Sequence, residues 1–273
     1  MRDEPDQVLL DISVKLRRMP RIFLGNGTPM TTNVYDKSAL KVGTDSRWSF
    51  NTDFAVFFVD DSGFEKIVTT ANGVFLFAGD SQVIQAWKEY LFDEAVQAGN
   101  EDPGLKGIAM LMIDKSDGSV IFEHGQDIQA AGPEGELVAS FAGSGARHAA
   151  ACWLRNSCAV RSVDTAKLMD PYSGGATKFF ELATQTGNLT QDVGLSGLNA
   201  AFMERGMVMY LTSGQNPVSI QDAAAHDDRV KNLVEQVAQG SVALSAPCDA
   251  QYMQPTAADK ERLRSALGRI MNR

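Results

Sequence analysis

Residues 29–36, Pro-Met-Thr-Thr-Asn-Val-Tyr-Asp, mark the point at which the pattern of the chain changes. The stretch just before Thr31, residues 24–30, holds two glycines and a proline, which interrupt regular structure. From Thr31 onward, apolar and polar residues alternate, as in a half-buried β-strand. A Lys-Ser turn at 37–38 and a second strand-like run over 39–49 follow, so a β-hairpin is predicted here.

Strand-like runs separated by turn signals continue on both sides of one strong helix. The helix is predicted to begin at Asp80 and Ser81, which are good N-caps, and to end at Gly99. A second β block spans residues 106–143, and two short helices and a further strand follow it up to residue 184. Two sheets with helices on their outer faces bury one face of every element, so a layered fold of mixed class is expected.

Both ends of the chain differ from this middle part. Residues 4–19 have apolar residues at helical spacing and basic residues in the last turn, which predicts a short helix. Near the C-terminus, residues 219–240 and 256–273 have the pattern of amphipathic helices, and residues 201–214 fit either a helix or a pair of strands. We divide the chain into an N-terminal extension (1–30), a core (31–185) and a mainly helical C-terminal extension (186–273).

Composition and charge exclude several classes of protein. The chain of 273 residues carries a net charge of −9, whereas nucleic-acid binding needs clustered Lys and Arg. Its three cysteines show no CxxC spacing and its three histidines are scattered, so no metal site, disulfide framework or cofactor is expected. No apolar run approaches the roughly 18 residues of a membrane span, and the acidic residues 1–7 do not fit a secretory signal. We expect a cytoplasmic protein.

Four motifs follow one another in order along the middle of the chain. They are TTNVYD (31–36), GTDSRWS (43–49), FEKI with FLFAGDSQ (64–67 and 75–82), and FAGSGARHAA with MDPYSGG (141–150 and 169–175). In this order they resemble the N-terminal-nucleophile hydrolases of the proteasome β-subunit and HslV type, over roughly residues 31–182. The resemblance implies an α+β chain folded as a four-layer αββα sandwich, with two antiparallel sheets flanked by helices.

The chemistry of this family accounts for the residue types in the motifs. A threonine hydroxyl is a weak nucleophile until a base removes its proton, and the α-amine of an N-terminal threonine can act as that base. An α-amine has an ordinary pKa of about 7.7–8.0, so much of it is deprotonated near neutral pH. By resemblance, Thr31 is the nucleophile and carries the base, Lys66 keeps the local field positive, and Asp45 pairs with the lysine. The backbone N–H of Gly79 is the implied oxyanion donor.

Further residues match supporting positions of the same family. Ser144 matches a serine that lies near the amine and helps to position a water, and Asp170 and Ser173 match a pair that orients the amine. Gly174 and Gly175 complete that motif. Three more residues match the walls of the specificity pocket, which would then be apolar, although the same residues also suit a plain core role: Phe64, Phe77 and Ser81.

Several readings of the N-terminal extension stay open. Met30 precedes Thr31, which suits translation that starts at Met30 and is followed by removal of the methionine. Residues 1–30 then arise from the choice of start site; alternatively they are a prosegment, or a permanent extension that leaves the amine acylated. In the last case the protein is an inactive ring member. Thr28 is a rival nucleophile, but Pro29 after it suits a leading strand badly.

The resemblance implies a threonine-type peptidase that hydrolyses peptide bonds in a peptide or unfolded protein. The expected partners are further copies of the chain in a ring and a separate ATP-dependent unfoldase, since this chain has no GxxxxGK nucleotide-binding motif. Two alternatives remain: a catalytically inactive ring or scaffold subunit of the same fold, and an amidohydrolase acting on a small molecule. The interval from Asp45 to Lys66 is longer than in typical members, so residues 50–61 are expected to form an enlarged strand or loop beside the site.

Overall fold

Two stacked β-sheets with helices on their outer faces make up the described chain. The computed structural model describes residues 13–16 by their backbone, and residues 31–93, 101–212 and 216–271. The strands are β1 Ser13–Leu16, β2 Asn33–Asp36, β3 Lys41–Thr44, β4 Trp48–Asn51, β5 Ala55–Val59, β6 Ile67–Thr69, β7 Gly73–Asp80, β8 Ile108–Asp114, β9 Val120–His124, β10 Ile128–Ala131, β11 Leu137–Ala142, β12 Lys178–Glu181, β13 Thr186–Gly187, β14 Met207–Tyr210, β15 Val218–Ser219 and β16 Ser245–Ala246. The helices are α1 Ser81–Phe92, α2 Ala146–Asn156, α3 Ala159–Met169, α4 Gly194–Arg205, α5 Ile220–Ala224, α6 Asp228–Ala238 and α7 Ala257–Met271.

The first sheet is antiparallel and runs in the order β1-β10-β11-β2-β3-β12-β13. Strands β2 and β3 form the hairpin predicted from the sequence, with Asn33 opposite Thr44. Strand β2 also pairs with β11, so it lies in the middle of the sheet. The residues just before it, Thr31 and Thr32, are therefore held between two neighbouring strands.

The second sheet is also antiparallel and runs in the order β15-β14-β5-β4-β16-β7-β8-β9, with β6 on the edge of β7. Strand β16 is only two residues long, and it lies between β4 and β7 and pairs with both. Neighbouring strands are about 4.8 Å apart, so β4 and β7 border a gap one strand wide. A segment from the C-terminal part of the chain fills this gap.

Three apolar layers join the sheets and helices. The layer between the sheets contains side chains from β2, β3 and β12 on one side and from β6, β7 and β8 on the other: Tyr35, Val42, Phe180, Ile67, Val74, Leu76, Leu111 and Ile113. The outer face of the first sheet packs on α2 and α3, largely through small residues such as Ala149 and Ala166. The outer face of the second sheet packs on α1 and α4–α7, around Trp87 and Phe202. This layering confirms the predicted αββα sandwich.

Two helix predictions need correction. Residues 13–16 of the helix predicted over 4–19 form strand β1, which pairs antiparallel with β10, and the rest of that prediction lies outside the described residues. The backbone groups at a sheet edge offer a partner that overrules a weak local preference for helix. Helix α1 ends at Phe92 with an extended C-cap, rather than at Gly99, which lies outside the described residues.

The run predicted as one strand over residues 39–49 is divided between the two sheets. Strand β3 belongs to the first sheet and β4 to the second, and the chain turns between them at residues 45–47. The carboxylate of Asp45 accepts the backbone N–H of Arg47, a short-range turn contact typical of aspartate. The extra residues before Lys66 then form the hairpin of β4 and β5, which is the enlarged strand region expected beside the site.

The C-terminal part of the chain is mainly helical, as predicted, and it also contributes strands to the second sheet. Helices α4–α7 cover the outer face of that sheet, while β14 pairs with β5, and β16 with β4 and β7. The domain boundaries at residues 30 and 185 stay predictions. In the described ranges, no helix combines the length and the apolar character that a membrane span requires.

We expect Leu111→Ala to lower the free energy of unfolding by about 2–5 kcal/mol, because the side chain is fully buried between the sheets and its loss leaves a cavity. Leu168→Ala is the matched control: Leu168 is 86% exposed on α3, and its loss should change stability by less than about 0.5 kcal/mol. Urea denaturation followed by circular dichroism measures both variants. Equal effects would contradict the position of Leu111 in the inter-sheet layer.

Candidate active site

Thr31, Asp45 and Lys66, predicted from three separate motifs, are in hydrogen-bond contact with one another. The Lys66 Nζ donates to Thr31 Oγ1 at 2.6 Å and to Asp45 Oδ1 at 3.0 Å. The Thr31 hydroxyl donates to the same Asp45 oxygen. Thr31 and Asp45 are 0% exposed and Lys66 is 1% exposed. The hydroxyl is thus held, away from water, between a carboxylate and an amine.

The Asp45 carboxylate binds several segments of the chain at once. Its Oδ1 accepts the backbone N–H of Thr32 at 2.9 Å, and its Oδ2 accepts the backbone N–H groups of Arg47 and Gly174, each at 3.1 Å. Together with the ion pair to Lys66, these bonds supply donors to both oxygens, as a buried carboxylate requires. The position of Asp45 therefore links the starts of β2 and β6 to the turn after α3.

A second hydrogen-bond network surrounds the hydroxyl of Thr32 rather than that of Thr31. Ser173 Oγ donates to Asp170 Oδ2 at 2.7 Å, and the Ser144 hydroxyl donates to the same oxygen. Thr32 Oγ1 lies 2.7 Å from Ser173 Oγ, and because the Ser173 proton goes to Asp170, Thr32 is the donor of this contact. The predicted residues at 144, 170 and 173 therefore meet one another beside the neighbour of Thr31.

Gly79, the implied oxyanion donor, lies near the end of β7 in a conformation that favours glycine. Its φ is +121°, and a Cβ at this position would lie 2.2 Å from the carbonyl oxygen of Gly107. Helix α1 begins at Ser81 with Asp80 as its N-cap, so the positive end of the helix dipole lies close by. On the other edge of β7, Gly79 is paired with Ala246 of β16.

The backbone of Thr31 contacts the C-terminal part of the chain. Its N–H donates to the carbonyl of Pro247 at 2.9 Å. Pro247 directly follows Ala246, so the same short segment reaches both Gly79 and Thr31. Because Met30 precedes Thr31 in this chain, the nitrogen is an amide and not a base. No motif indicates this contact, since its partners lie far apart in the sequence.

The residues predicted to line a specificity pocket are core residues in this structure. Phe64, Phe77 and Ser81 are at most 3% exposed. The two phenylalanines belong to an apolar cluster that also contains Leu244 and Ala246. The protein therefore fills this region with its own side chains.

Burial lowers the pKa of Lys66, because desolvation penalises the ammonium form; the charge of Asp45 opposes this shift. A buried lysine of this kind loses its proton more readily than an exposed lysine, and lysines in such settings serve as general bases. Lys66 lies next to the Thr31 hydroxyl and can therefore exchange a proton with it. The Trp48 ring, 5.5 Å from Nζ, forms part of the surrounding wall.

Arg47 also belongs to the site, although the resemblance gave it no role. Its guanidinium binds Asp60 through two 2.8 Å hydrogen bonds, donates to the Pro171 carbonyl at 2.6 Å and stacks on Phe58 at 3.8 Å. These contacts fix the turn after α3 against the second sheet. The only feature of the sequence that could have indicated this role for Arg47 is its position two residues after Asp45.

In the part of the chain that the structure describes, no group of three or more His, Cys, Asp or Glu side chains is placed to hold a metal ion.

Asp127, in the loop before β10, supports the backbone beside Thr31. Its Oδ2 accepts the N–H of Gly143 at 2.6 Å. Gly143 packs tightly on Thr31, because a Cβ there would lie 1.9 Å from the Thr31 carbonyl oxygen. Burial raises the pKa of Asp127 to about 7 against the effect of the Gly143 hydrogen bond, and the charge of Asp249 adds to the rise.

Comparison with solved structures returns 54 similar chains. The chain is similar to eukaryotic HslV from Trypanosoma brucei at 12% sequence identity and a TM-score of 0.24, over 55% of this chain and 97% of that chain. No protein-family model and no curated protein matches the sequence. A TM-score this low carries no argument, so the fold and the site rest on the strands, helices and hydrogen bonds described above.

We expect Lys66→Met to lower the free energy of unfolding by about 3–5 kcal/mol, because it leaves the buried Asp45 carboxylate without its cationic partner. Lys41→Met is the control: Lys41 and Glu181 lie 3.6 Å apart and are 26% and 31% exposed, and such a pair contributes at most about 1 kcal/mol. Urea denaturation at neutral pH measures both variants. A small loss for Lys66→Met would show that the carboxylate is not a buried charge.

We expect the raised pKa of Asp127 to make stability depend on pH. The unfolded chain releases this proton near pH 4, whereas the folded chain keeps it up to about pH 7. Between these values the folded state holds more protons, so the free energy of unfolding falls as pH rises. Asp127→Asn keeps an acceptor for the Gly143 N–H and removes this titration. Urea denaturation at several pH values should therefore show a weaker fall between pH 4 and 7 in the variant; an unchanged profile refutes the assignment.

Proposed function

We propose that the protein is an N-terminal-nucleophile hydrolase of the proteasome-like type, a threonine peptidase whose nucleophile is Thr31. The observation that carries the proposal is the buried contact of Thr31 Oγ1 with Lys66 and Asp45. Burying an ion pair away from water carries a large desolvation penalty, so a buried ion pair by itself is a poor way to stabilise a fold. Placed on a hydroxyl at the start of a strand, it is typical of a site whose charges serve chemistry.

The proposed reaction begins with a Thr31 that has been freed from Met30. Its amine takes the hydroxyl proton, directly or through a water, and Oγ1 attacks the carbonyl carbon of the scissile peptide bond. The N–H of Gly79 and the N-terminus of α1 stabilise the oxyanion that forms. The C–N bond breaks, the leaving amine takes up the proton, and the acyl group remains as an ester on Oγ1. A water activated by the amine then hydrolyses the ester and restores the hydroxyl.

Ser144, Asp170 and Ser173 act in this proposal as positioning residues. Their network ends on the hydroxyl of Thr32, and Thr32 is fully buried. Holding Thr32 fixes the direction of the chain at the preceding residue. The amine of a freed Thr31 is thereby directed toward its own hydroxyl, an arrangement that intramolecular proton transfer requires.

The surroundings of Thr31 favour a second candidate function, a non-catalytic subunit of the same fold. The Thr31 side chain is fully buried and its N–H is bound to the Pro247 carbonyl. No substrate reaches the hydroxyl in this conformation, and an acylated nitrogen supplies no base. A chain that retains the residues before Thr31 would then serve as a scaffold.

We further propose that copies of the chain assemble into a homo-oligomeric ring in the cytoplasm and act on peptides or unfolded proteins. The support is the order of the four motifs together with the αββα layering. A separate ATP-dependent unfoldase would supply unfolded substrate, since no GxxxxGK motif occurs in this chain. Sedimentation of the purified protein tests the ring.

The decisive experiment compares chains translated from Met1 and from Met30. Intact-mass analysis and N-terminal sequencing give the first residue of each, and fluorogenic peptides report hydrolysis. We expect the active form to begin at Thr31, Thr31→Ala to lower kcat/KM at least about a thousandfold, and Thr31→Ser to keep part of the activity because it keeps a hydroxyl.

Thr184→Ala is the control for this experiment, because Thr184 is exposed on a turn between β12 and β13. It should hydrolyse the peptides at the wild-type rate. A Thr31→Ala variant that is equally active would place the nucleophile elsewhere. A stable chain that keeps its first thirty residues and hydrolyses nothing supports the scaffold instead.

A further inference from the structure

We propose that residues 244–248, Leu-Ser-Ala-Pro-Cys, are an intramolecular strand that occupies the substrate gap of the candidate active site and closes it. We refer to these residues as the closing strand. The inference rests on the proposed function, because that function makes an extended peptide the molecule that would otherwise enter the gap. Removal of the closing strand would then be the step that opens the site.

The gap itself is defined by the edges of β4 and β7. Ser245 lies opposite Ser49 of β4 and opposite Asp80 of β7, and the Leu244 carbonyl accepts the N–H of Ser81 at 3.3 Å. The space is one strand wide and bordered by backbone on both sides. Any occupant must therefore be extended, because only a strand can satisfy two sheet edges together.

The closing strand reaches the groups that the proposed reaction uses. Ala246 is paired with Gly79, and the Pro247 carbonyl accepts the N–H of Thr31 at 2.9 Å. The Ala246–Pro247 peptide bond thus joins the partner of the oxyanion donor to the partner of the nucleophile. Proline has no N–H to donate, so the ladder ends at this point.

The same contact also acts on the proposed base. If Thr31 is freed, its nitrogen still faces the Pro247 carbonyl, and an acceptor of this kind favours the ammonium form over the free amine. The ammonium cannot take the hydroxyl proton. The closing strand therefore blocks the site twice, because it fills the gap that a peptide would enter and also holds the base in its protonated form.

The side chains of the closing strand indicate what kind of peptide fits the gap. Leu244 and Ala246 alternate with the half-buried Ser245 along the strand and are 0% exposed, as expected when one face of a strand is buried. Leu244 and Ala246 join the apolar cluster that contains Phe64 and Phe77. A competing peptide would thus carry small or aliphatic side chains at alternate positions.

Several features make the closing strand displaceable. Its regular part, β16, is two residues long and makes three residue pairs with its two neighbouring strands. The hydroxyls of Ser49 and Ser81, on the two borders of the gap, are buried and have no hydrogen-bond partner among the described residues. Buried hydroxyls without partners disfavour a state, so a better-matched strand can replace this one.

A reversible cross-link tests the docked state in the full-length chain. In an antiparallel pair, opposite Cα atoms lie about 4.5–5.5 Å apart, which suits a disulfide. We expect the double variant Ser49→Cys, Ser245→Cys to form an internal disulfide under mild oxidation. Ser49→Cys alone is the control, because it retains the three native cysteines and shows whether they cross-link with residue 49.

The probe for the open state is a synthetic peptide of residues 243–249, with a scrambled peptide as its control. Fluorescence anisotropy should show the native-order peptide binding to the reduced double variant at least about tenfold more tightly than to the oxidised form. Ala246→Asp places a charge at a fully buried position and should release the closing strand. The control Gln239→Asp places the same charge at an exposed position upstream.

Hydrogen–deuterium exchange gives a readout that does not depend on catalysis. In Ala246→Asp, the start of α1 should exchange at least about tenfold faster than in Gln239→Asp, because the Ser81 N–H loses the Leu244 carbonyl. Circular dichroism shows whether Ala246→Asp is folded; if it is not, the disulfide pair still decides the question. Where peptides are hydrolysed, the reduced double variant should be at least about tenfold faster than the oxidised form.

Two results overturn the proposal. One is failure of the double cysteine variant to form the disulfide; the other is equal peptide binding by its oxidised and reduced forms. An absence of hydrolysis in every form would refute the proposed peptidase and leave the closing strand standing, because cross-linking, exchange and peptide binding do not require the Thr31 hydroxyl to react.

Discussion

The rest of the structure around the candidate site depends on one buried carboxylate. Asp45 has no exposed surface, and a charge in that position must be surrounded by donors. The donors come from Lys66 and from the backbone of Thr32, Arg47 and Gly174. These groups belong to both sheets and to the turn after α3. One charge therefore holds the two sheets in register at the point where Thr31 lies.

The same charge gives the Thr31 hydroxyl its unusual surroundings. A hydroxyl between a carboxylate and a desolvated lysine is positioned for proton exchange in a way that a strand-start threonine ordinarily is not. The second network, which ends on Thr32, adds orientation without touching the Thr31 hydroxyl. The two neighbouring threonines thus bind two separate networks, Thr31 to Asp45 and Lys66 and Thr32 to Ser173.

The C-terminal part of the chain both supports the second sheet and closes the site. Helices α4–α7 cover the outer face of the sheet, and the strand between α6 and α7 returns through the gap next to Gly79. A sheet with an unfilled gap would expose two edges, and exposed edges pair with whatever strand is available. The segment that fills the gap satisfies both edges and also binds the N–H of Thr31, so stability of the sheet and closure of the site depend on the same few residues.

The sequence by itself determined what local patterns encode: the first hairpin, the start of α1 at Asp80 and the amphipathic helices near the C-terminus. The four-layer sandwich and the group of Thr31, Asp45 and Lys66 were implied by the resemblance of its motifs to a known family. Short-range periodicity and capping act within a few residues, so they can be read from one segment. Only the tertiary structure decided that residues 13–16 form a strand, that residues 39–49 divide between two sheets, and that Pro247 binds Thr31. Each of these depends on a backbone partner brought from a distant part of the chain, and backbone N–H and carbonyl groups are the same in every residue but proline. The pattern of side chains along the sequence therefore does not predict which segment fills the gap between β4 and β7.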